Sequence, residues 1–447
     1  MTGDSTHDTA GDSDTAGTGD AAGAGDAAGT DDALDRIDRT DDALAGSNAL
    51  VDLGPGIFGQ QQAGWLVTIE TALGLVQIDT GDQAEASLAA IRSRTDAPFT
   101  DIVFSHGHQR YNLACREWVI DAVRTSGRVP RVIGHANVAR RQRRYLESNG
   151  LQNRLIERQF RYPRGSLDGR VFAFTEPTHT FTDRFVIDTP GRTVEVLAAP
   201  SETDDAIAAW IPEDRVLYGG PACIPFLPNV GSPQRPLRDP VRWADTLDRL
   251  ATLPAAILIR EFGDPLEGAE LIGDYLATTA AALRWCHRSV VELMNEGHNV
   301  AEIVNMVTPD PAVFDRPWLV EGYTSIEHIL RDVYRSQFGW WEDLNPTSLH
   351  PAHPRDVARE IRGVITDPDV VLARTRALRD EGRITLALHV VDLLALDEGT
   401  DPVTVEARTL KAELCRLAAL GNPSYVTQSL YLNGADELER ANEGGAP

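Results

Sequence analysis

The chain has 447 residues, enough for two or three domains with a sizeable core. Its formal charge of −25 and pI near 4.8 exclude the basic surface that a nucleic acid or an anionic membrane would require of a partner. No signal-peptide pattern and no long uncharged apolar run is visible, so a cytoplasmic protein without a membrane partner is expected.

Residues 1–45 form an acidic Asp/Gly/Ala/Thr tail with twelve Asp against Arg36 and Arg39, a net charge of about −10. Such a segment buries too little apolar surface to offset its ordering entropy, and disorder is expected. It reads either as a solubilising tail or as an arm that folds on a partner around Leu34, Ile37 and Leu44. From residue 50 the composition is globular. Short β-rich runs at 64–69 and 74–78 form a hairpin signature, and a helix follows through 89–91. The apolar run 101–104 leads into Ser105-His106-Gly107-His108-Gln109-Arg110-Tyr111-Asn112, then a helix at 113–125 and a strand at 132–135. Arg140, Arg141, Arg143 and Arg144 follow, as a solvated helix face or a site for an anionic group.

Strand signals recur at 171–174, 184–187, 193–197, 207–211, 215–218 and 255–259, with a helix at 240–252. Beyond about 270 the pattern is helical: 270–296, 300–307, 322–337, 354–364, 368–380, 383–395, 402–419 and 423–440. The expected architecture is a layered α/β sandwich over 46–270, a helical segment over 271–350 and a C-terminal helical layer over 351–447. Cys115, Cys223, Cys286 and Cys415 are far apart and read as reduced packing residues.

Two histidines one residue apart at a strand's end can turn toward one cation, and neutral imidazole is a favoured zinc ligand. Glu202, again just after a strand, is a third candidate, although a Glu near a turn is more often a cap or surface carboxylate. The remaining histidines, His135 and His328 among them, read as structural or surface groups. Trp340-Trp341 reads as interface or core, or as a hydrophobic entrance, and Cys223 and Phe226 lie near a prospective pocket.

The succession Ile78-Asp79-Thr80-Gly81, Ser105-His106-Gly107-His108, Ser201-Glu202-Thr203-Asp204-Asp205 and Trp210-Ile211-Pro212-Glu213 resembles the metallo-β-lactamase fold. More narrowly it is similar to the alkyl sulfatase branch, in which a Glu stands where other branches use a His. Leu227-Pro228-Asn229-Val230-Gly231-Ser232-Pro233-Gln234 fits that branch, as do Leu293-Met294-Asn295-Glu296-Gly297 and Gly339-Trp340-Trp341-Glu342-Asp343-Leu344-Asn345-Pro346. The resemblance, from about residue 50 to 440, implies an αββα sandwich followed by an all-helical dimerisation region. It also implies two divalent cations, usually zinc, with a bridging hydroxide that attacks an ester-like centre.

Carried over by motif, His106, His108 and Glu202 match the ligands of the first metal. Arg110 and Tyr111 occupy the places of the Asp and His that bind the second. Pro221 stands where a bridging carboxylate is implied, and Phe262 where the last His is implied. Proline and phenylalanine cannot coordinate a cation, a phenol must first lose a proton of pKa about 10, and a guanidinium repels a dication. The second site is therefore expected to be lost and the first to hold one zinc or none. Arg110 is expected to enter the vacant space and pair with Glu202 or Asp205.

Three functions follow. The leading one is an accessory subunit of a hetero-oligomeric hydrolase, with dinuclear zinc in a paralogous partner. The degenerate site and the tail are similar to the second subunit of two-component nitroaryl ether hydrolases of the dinitroanisole O-demethylase kind. A small aromatic or amphiphilic substrate would then reach the complex. The second is a self-sufficient mononuclear zinc hydrolase of a sulfate, ester or ether, with Arg110 stabilising an anion and Tyr111 donating a proton. The third is a non-enzymatic protein that binds a small ligand.

Overall fold

The computed structural model describes residues 47–444. The acidic tail, and the expectations placed on it, lie outside the described residues. Short strand runs, most of them buried on both faces, build a seven-stranded sheet that follows chain order. Its members are β1 (Ser47–Gly54), β2 (Ile57–Gln61), β3 (Trp65–Thr71), β4 (Gly74–Ile78), β5 (Phe99–Val103), β6 (Arg131–His135) and β7 (His179–Phe181). The first four strands pair antiparallel and the last four parallel. Parallel pairing needs crossovers, supplied by α1 (Ala84–Arg94), α2 (Cys115–Ser126), α3 (Val138–Glu147) and α4 (Asn149–Gln159).

A second sheet of six strands contains β8 (Arg184–Thr189), β9 (Arg192–Ala198), β10 (Ile207–Ile211), β11 (Val216–Gly220), β12 (Ile257–Arg260) and β13 (Leu266–Glu267). The β11–β12 pair is parallel and is joined through α5 (Pro240–Ala251). The two sheets share one core, with Ile57, Val67 and Val103 on one side and Val196, Ile207 and Ile259 on the other. Outside the first sheet, Trp118 of α2 packs on Phe99 with ring centroids 5.0 Å apart. Outside the second, Leu217 and Leu258 meet Trp243 and Leu247 of α5 and Leu283 of α6 (Ala269–Asn295). The layers therefore run α, β, β, α, as the sequence implied.

After α6 the chain is helical: α7 (Val300–Met306), α8 (Pro311–Phe314), α9 (Ile326–Gln337), α10 (Pro354–Val364), α11 (Pro368–Asp380), α12 (Ile384–Ala395), α13 (Pro402–Leu420) and α14 (Tyr425–Asn442). A repeated Asp-Pro pair starts four helices, with Asp239, Asp310, Asp367 and Asp401 as side-chain caps and the proline at the first helical position. Such a cap satisfies otherwise orphaned amides and is worth about 1 kcal/mol. The last helix folds back onto the sandwich. Asn433 Nδ2 donates to the Arg158 carbonyl at 2.8 Å, and Arg158 lies 3.0 Å from Glu437. No helix among the described residues is long and apolar enough to cross a membrane.

Three local expectations are corrected. Residues 171–174 are irregular rather than a strand, because Phe172 and Phe174 cluster with Ile156 of α4 and Leu167 instead of pairing their backbone. The helix expected from 322 starts at Ile326, where Ser325 Oγ accepts the His328 amide at 3.4 Å. The hydrophobic pattern also misses β1, β2 and the whole of α4.

Candidate metal centre and ligand cavity

The loops after β5 and β9 meet at one end of the sandwich. Ile207 N–H donates to the Ser105 carbonyl at 2.8 Å and so ties the two sheets where the loops converge. Asp205, fully buried, accepts the Gly107 amide at 2.9 Å and Arg141 Nε at 2.9 Å. Arg141 also reaches Asp204 at 2.5 Å, and Arg140 pairs with the same carboxylate. Half of the arginine cluster is therefore neither a free solvated face nor an open anion site. It clamps the His-Gly-His loop to the Glu202 loop.

Within that clamp His106 Nε2 and His108 Nδ1 are 2.7 Å apart, and Ser105 Oγ lies 2.9 Å from His106 Nδ1. Burial lowers the His106 pKa to about 3 and drives that of His108 down as well, so both rings are neutral. Ligand atoms of His106, His108 and Glu202 all lie within 4.8 Å of one another, the one such group of His, Cys, Asp or Glu among the described residues. The donor set fits a single cation: two neutral imidazoles and a carboxylate are three ligands of the zinc type. The proton shared between the facing ring nitrogens would have to move to another ring position. One feature opposes the fit. Arg238 Nη1 sits 2.8 Å from Glu202 Oε1 and also donates to the Asn229 carbonyl, so a buried guanidinium already answers this carboxylate.

A second cation finds no comparable set. Arg110 does not enter the space and pairs with neither Glu202 nor Asp205, contrary to expectation. It points outward, 45% exposed, and its Nε lies 2.9 Å from Asp82. Arg238 and Arg141, arriving from the start of α5 and from α3, hold those carboxylates instead. Tyr111 turns inward against the His106 ring, with centroids 4.2 Å apart, and its hydroxyl meets both the Ala63 carbonyl at 2.8 Å and Glu261 Oε1. One phenolic proton cannot serve both acceptors. The arrangement is complete when Glu261 is protonated and donates to Tyr111 Oη while Tyr111 donates to Ala63. Burial, with Glu202 nearby, pushes the Glu261 pKa well above the usual carboxylate range and supports that state.

Glu261 was missed in the sequence because it lies outside the ligand pattern, next to Phe262. Its signal was a carboxylate following an apolar strand, the same signal that picked out Glu202. Pro221 is buried in the turn after β11, and Phe262 packs partly into the core while lining the cavity.

His108 opens into a cavity of about 440 Å³, with His106 fully buried behind it. Its walls are aromatic, with Tyr145, Phe160, Tyr162, Phe226, Tyr323 and Tyr425 beyond the metal end. Phe226 thus lines the cavity, whereas Cys223 is buried against Gly219 and is not part of the wall. Trp340 is 73% exposed and does not line it either. Set into the wall is Arg235, whose guanidinium is held by the side-chain carbonyl of Gln159 at 2.5 and 3.0 Å. Among the described residues no carboxylate pairs with it, and burial lowers its pKa. A guanidinium held by neutral amides is a prepared partner for an anion.

The model of the alkyl sulfatase dimerisation family matches residues 299–441. A linear primary-alkylsulfatase from Pseudomonas sp. (strain ATCC 19151) is 28% identical over 415 residues, covering 84% of this chain and 74% of that protein. An (R)-specific secondary-alkylsulfatase from Pseudomonas sp. is 26% identical over 406 residues, covering 83% of this chain and 59% of that one. The solved structure of a stereoselective inverting sec-alkylsulfatase from Pseudomonas sp. superposes with a TM-score of 0.75 at 22% identity. It covers 89% of this chain and 66% of its own length. The fold is the metallo-β-lactamase-like fold of the alkylsulfatases. Its helical C-terminal part matches the dimerisation region of those proteins, while the chain spans about two thirds of the length of the superposed enzyme.

Proposed function

We propose that this chain is a non-catalytic subunit of a metal-dependent hydrolase, in which a paralogous partner of the same fold carries the dinuclear zinc. The carrying observation is the want of a second ligand set. At the ligand positions that the resemblance implies stand Arg110, turned out to Asp82, the buried phenol of Tyr111, Pro221 and Phe262, and Arg238 answers the Glu202 carboxylate. The ligand end, by contrast, keeps an aromatic wall and Arg235, which is held by Gln159 and paired with no carboxylate among the described residues. A helical region of the dimerisation type supports assembly with a related chain. The substrate class that fits is a small aromatic or amphiphilic molecule bearing or developing negative charge. In the form put forward here, the complex hydrolyses an activated nitroaryl methyl ether, as in dinitroanisole O-demethylation, within the cytoplasm.

Co-expression with the paralogue tests this reading. A stable mixed complex whose activity survives His106→Ala in this chain, but not loss of a ligand in the partner, is the expected result. Zinc near one equivalent in the isolated chain, lost together with its own hydrolytic activity in His106→Ala, would overturn it.

That contrary outcome belongs to a second reading, a mononuclear zinc hydrolase of a sulfate, ester or ether, favoured by the convergence of His106, His108 and Glu202. Zinc held by those three residues would supply a water acidified to a pKa of about 7. Here Arg235 would orient the anionic group, and the aromatic wall would exclude bulk water.

A further inference from the structure

Two ring-bearing neighbours of one residue, Phe160 and Tyr162, both line the cavity. Between them Arg161 has φ of +52°, in the left-handed region that glycine adopts freely and a side chain rarely does. The local geometry explains the turn. Helix α4 ends with Phe160 as its C-cap, and the Tyr162 amide donates back to the Glu157 carbonyl at 3.0 Å. This is the six-to-one bond of a Schellman ending, in which the residue after the cap is left-handed and most often glycine. Glycine would make this turn without strain, so the turn itself does not call for an arginine.

What the arginine adds is its side chain, which crosses to the start of α14. Its Nε donates to Ser429 Oγ at 3.2 Å, Nη2 faces Gln428 Oε1 at 3.4 Å, and the guanidinium lies 5.0 Å from the Tyr425 ring centroid. Tyr425 in turn stacks on Tyr323, with planes 9° apart and centroids separated by 6.0 Å, and both rings line the cavity. Gln159, the last residue of α4, contacts the Tyr323 hydroxyl and also holds Arg235. The end of α4 therefore joins the anion-facing guanidinium to the aromatic wall.

We infer that Arg161 is a positioning residue for ligand selectivity: by pinning the left-handed end of α4 to α14, it fixes Phe160 and Tyr162 opposite the Tyr323–Tyr425 stack, so that the cavity prefers a flat aromatic anion to a flexible alkyl one. The inference rests on the reading of the cavity as an anion site. A stacked ring gains from fixed partner rings, whereas an alkyl chain adapts to a loosened wall at little cost.

Arg161→Gly is the discriminating variant, because it keeps the left-handed turn and removes only the tie. Calorimetric affinities for 4-nitrophenyl sulfate and hexyl sulfate are measured on the full chain, alongside hydrogen exchange over 425–433. Expected are a loss of about tenfold for the aryl sulfate, a loss below about threefold for the alkyl one, and faster exchange in α14. Arg161→Lys should restore part of the aryl preference. Equal losses for both probes, or unchanged exchange and affinity, overturn the inference. Failure of the unaltered chain to bind either probe overturns the anion-site reading and this inference with it. The exchange measurement, which needs no ligand, separates that failure from failure of the tie.

Discussion

Arg238 and Glu202 form a 2.8 Å ion pair within reach of His106 and His108, and both partners are largely buried. The guanidinium supplies positive charge on the carboxylate that a metal would need. A cation at the three-residue site must therefore be held against a fixed like charge. Arg238→Met should raise zinc affinity by about tenfold or more, measured by chelator competition. Glu202→Gln in the same background should abolish the gain. An affinity unchanged by Arg238→Met would show that the ion pair does not govern metal binding.

The Tyr111–Glu261 contact makes a second, opposite prediction about charge. If Glu261 is neutral at pH 7, Glu261→Gln replaces a protonated carboxyl by an amide of the same shape and should cost below about 1 kcal/mol. Tyr111→Phe leaves a buried polar group without its partner and should cost about 1–3 kcal/mol. Urea unfolding at pH 7 reads both. A cost for Tyr111→Phe well above this range would mean that the carboxylate is ionised, because a buried charge would then have lost its donor.

Asp205 is fully buried and joins Arg141 to the Gly107 amide. Removing its charge leaves a largely buried guanidinium with Asp204 as its remaining carboxylate partner, beside the Tyr145 hydroxyl. Asp205→Asn should cost about 3 kcal/mol in unfolding free energy. It should also weaken any zinc binding, because the His106 loop loses its clamp to the Glu202 loop. Retention of both properties would remove the clamp from the account.

His328 lies between Thr324 Oγ1 at 3.3 Å and Thr427 Oγ1 at 3.0 Å, and burial lowers its pKa to about 4. The unfolded chain binds this proton more tightly than the folded one. The contribution of His328 is thus present above pH 6.5 and is lost as pH falls toward 4. Over that interval His328→Gln should flatten the acid loss of stability by up to about 3 kcal/mol relative to the unaltered chain. Asp79, raised to about 7 by burial, acts in the other direction: its contribution is lost as pH rises through 7. Only the difference between the two chains isolates the histidine. Parallel pH profiles would contradict the assignment.

Much of this architecture was legible in the chain itself. Apolar runs ending in His106 and before Glu202 marked strands that do bring those side chains together. The helical region was readable because Asp-Pro starts and 3.6-residue spacing are local signals. What the sequence concealed was pairing across long separations. Arg110 stands two residues from His108, and proximity in sequence made it the natural occupant of the site. Yet it swings out to Asp82, while Arg238, 36 positions beyond Glu202, takes that carboxylate. Glu261 and Arg235 escaped for the same reason. Neither has a distinctive spacing, and each gains its character only from burial among groups distant in the chain.

The cavity is also divided in its ancestry of parts. Positions 110, 111, 221 and 262 all lie in loops, outside every helix and strand, and the aromatic far wall comes from other segments, with Tyr145 on α3, Tyr425 on α14, and Phe160 and Tyr162 just past the end of α4. Coordination and recognition are consequently separable traits in this scaffold. On the proposed non-catalytic reading, changes in a few loop side chains would silence the chemistry at one end and leave what the other end accepts untouched. On that reading, placing ligands at those loops would be a problem of side-chain replacement and would not require a new backbone.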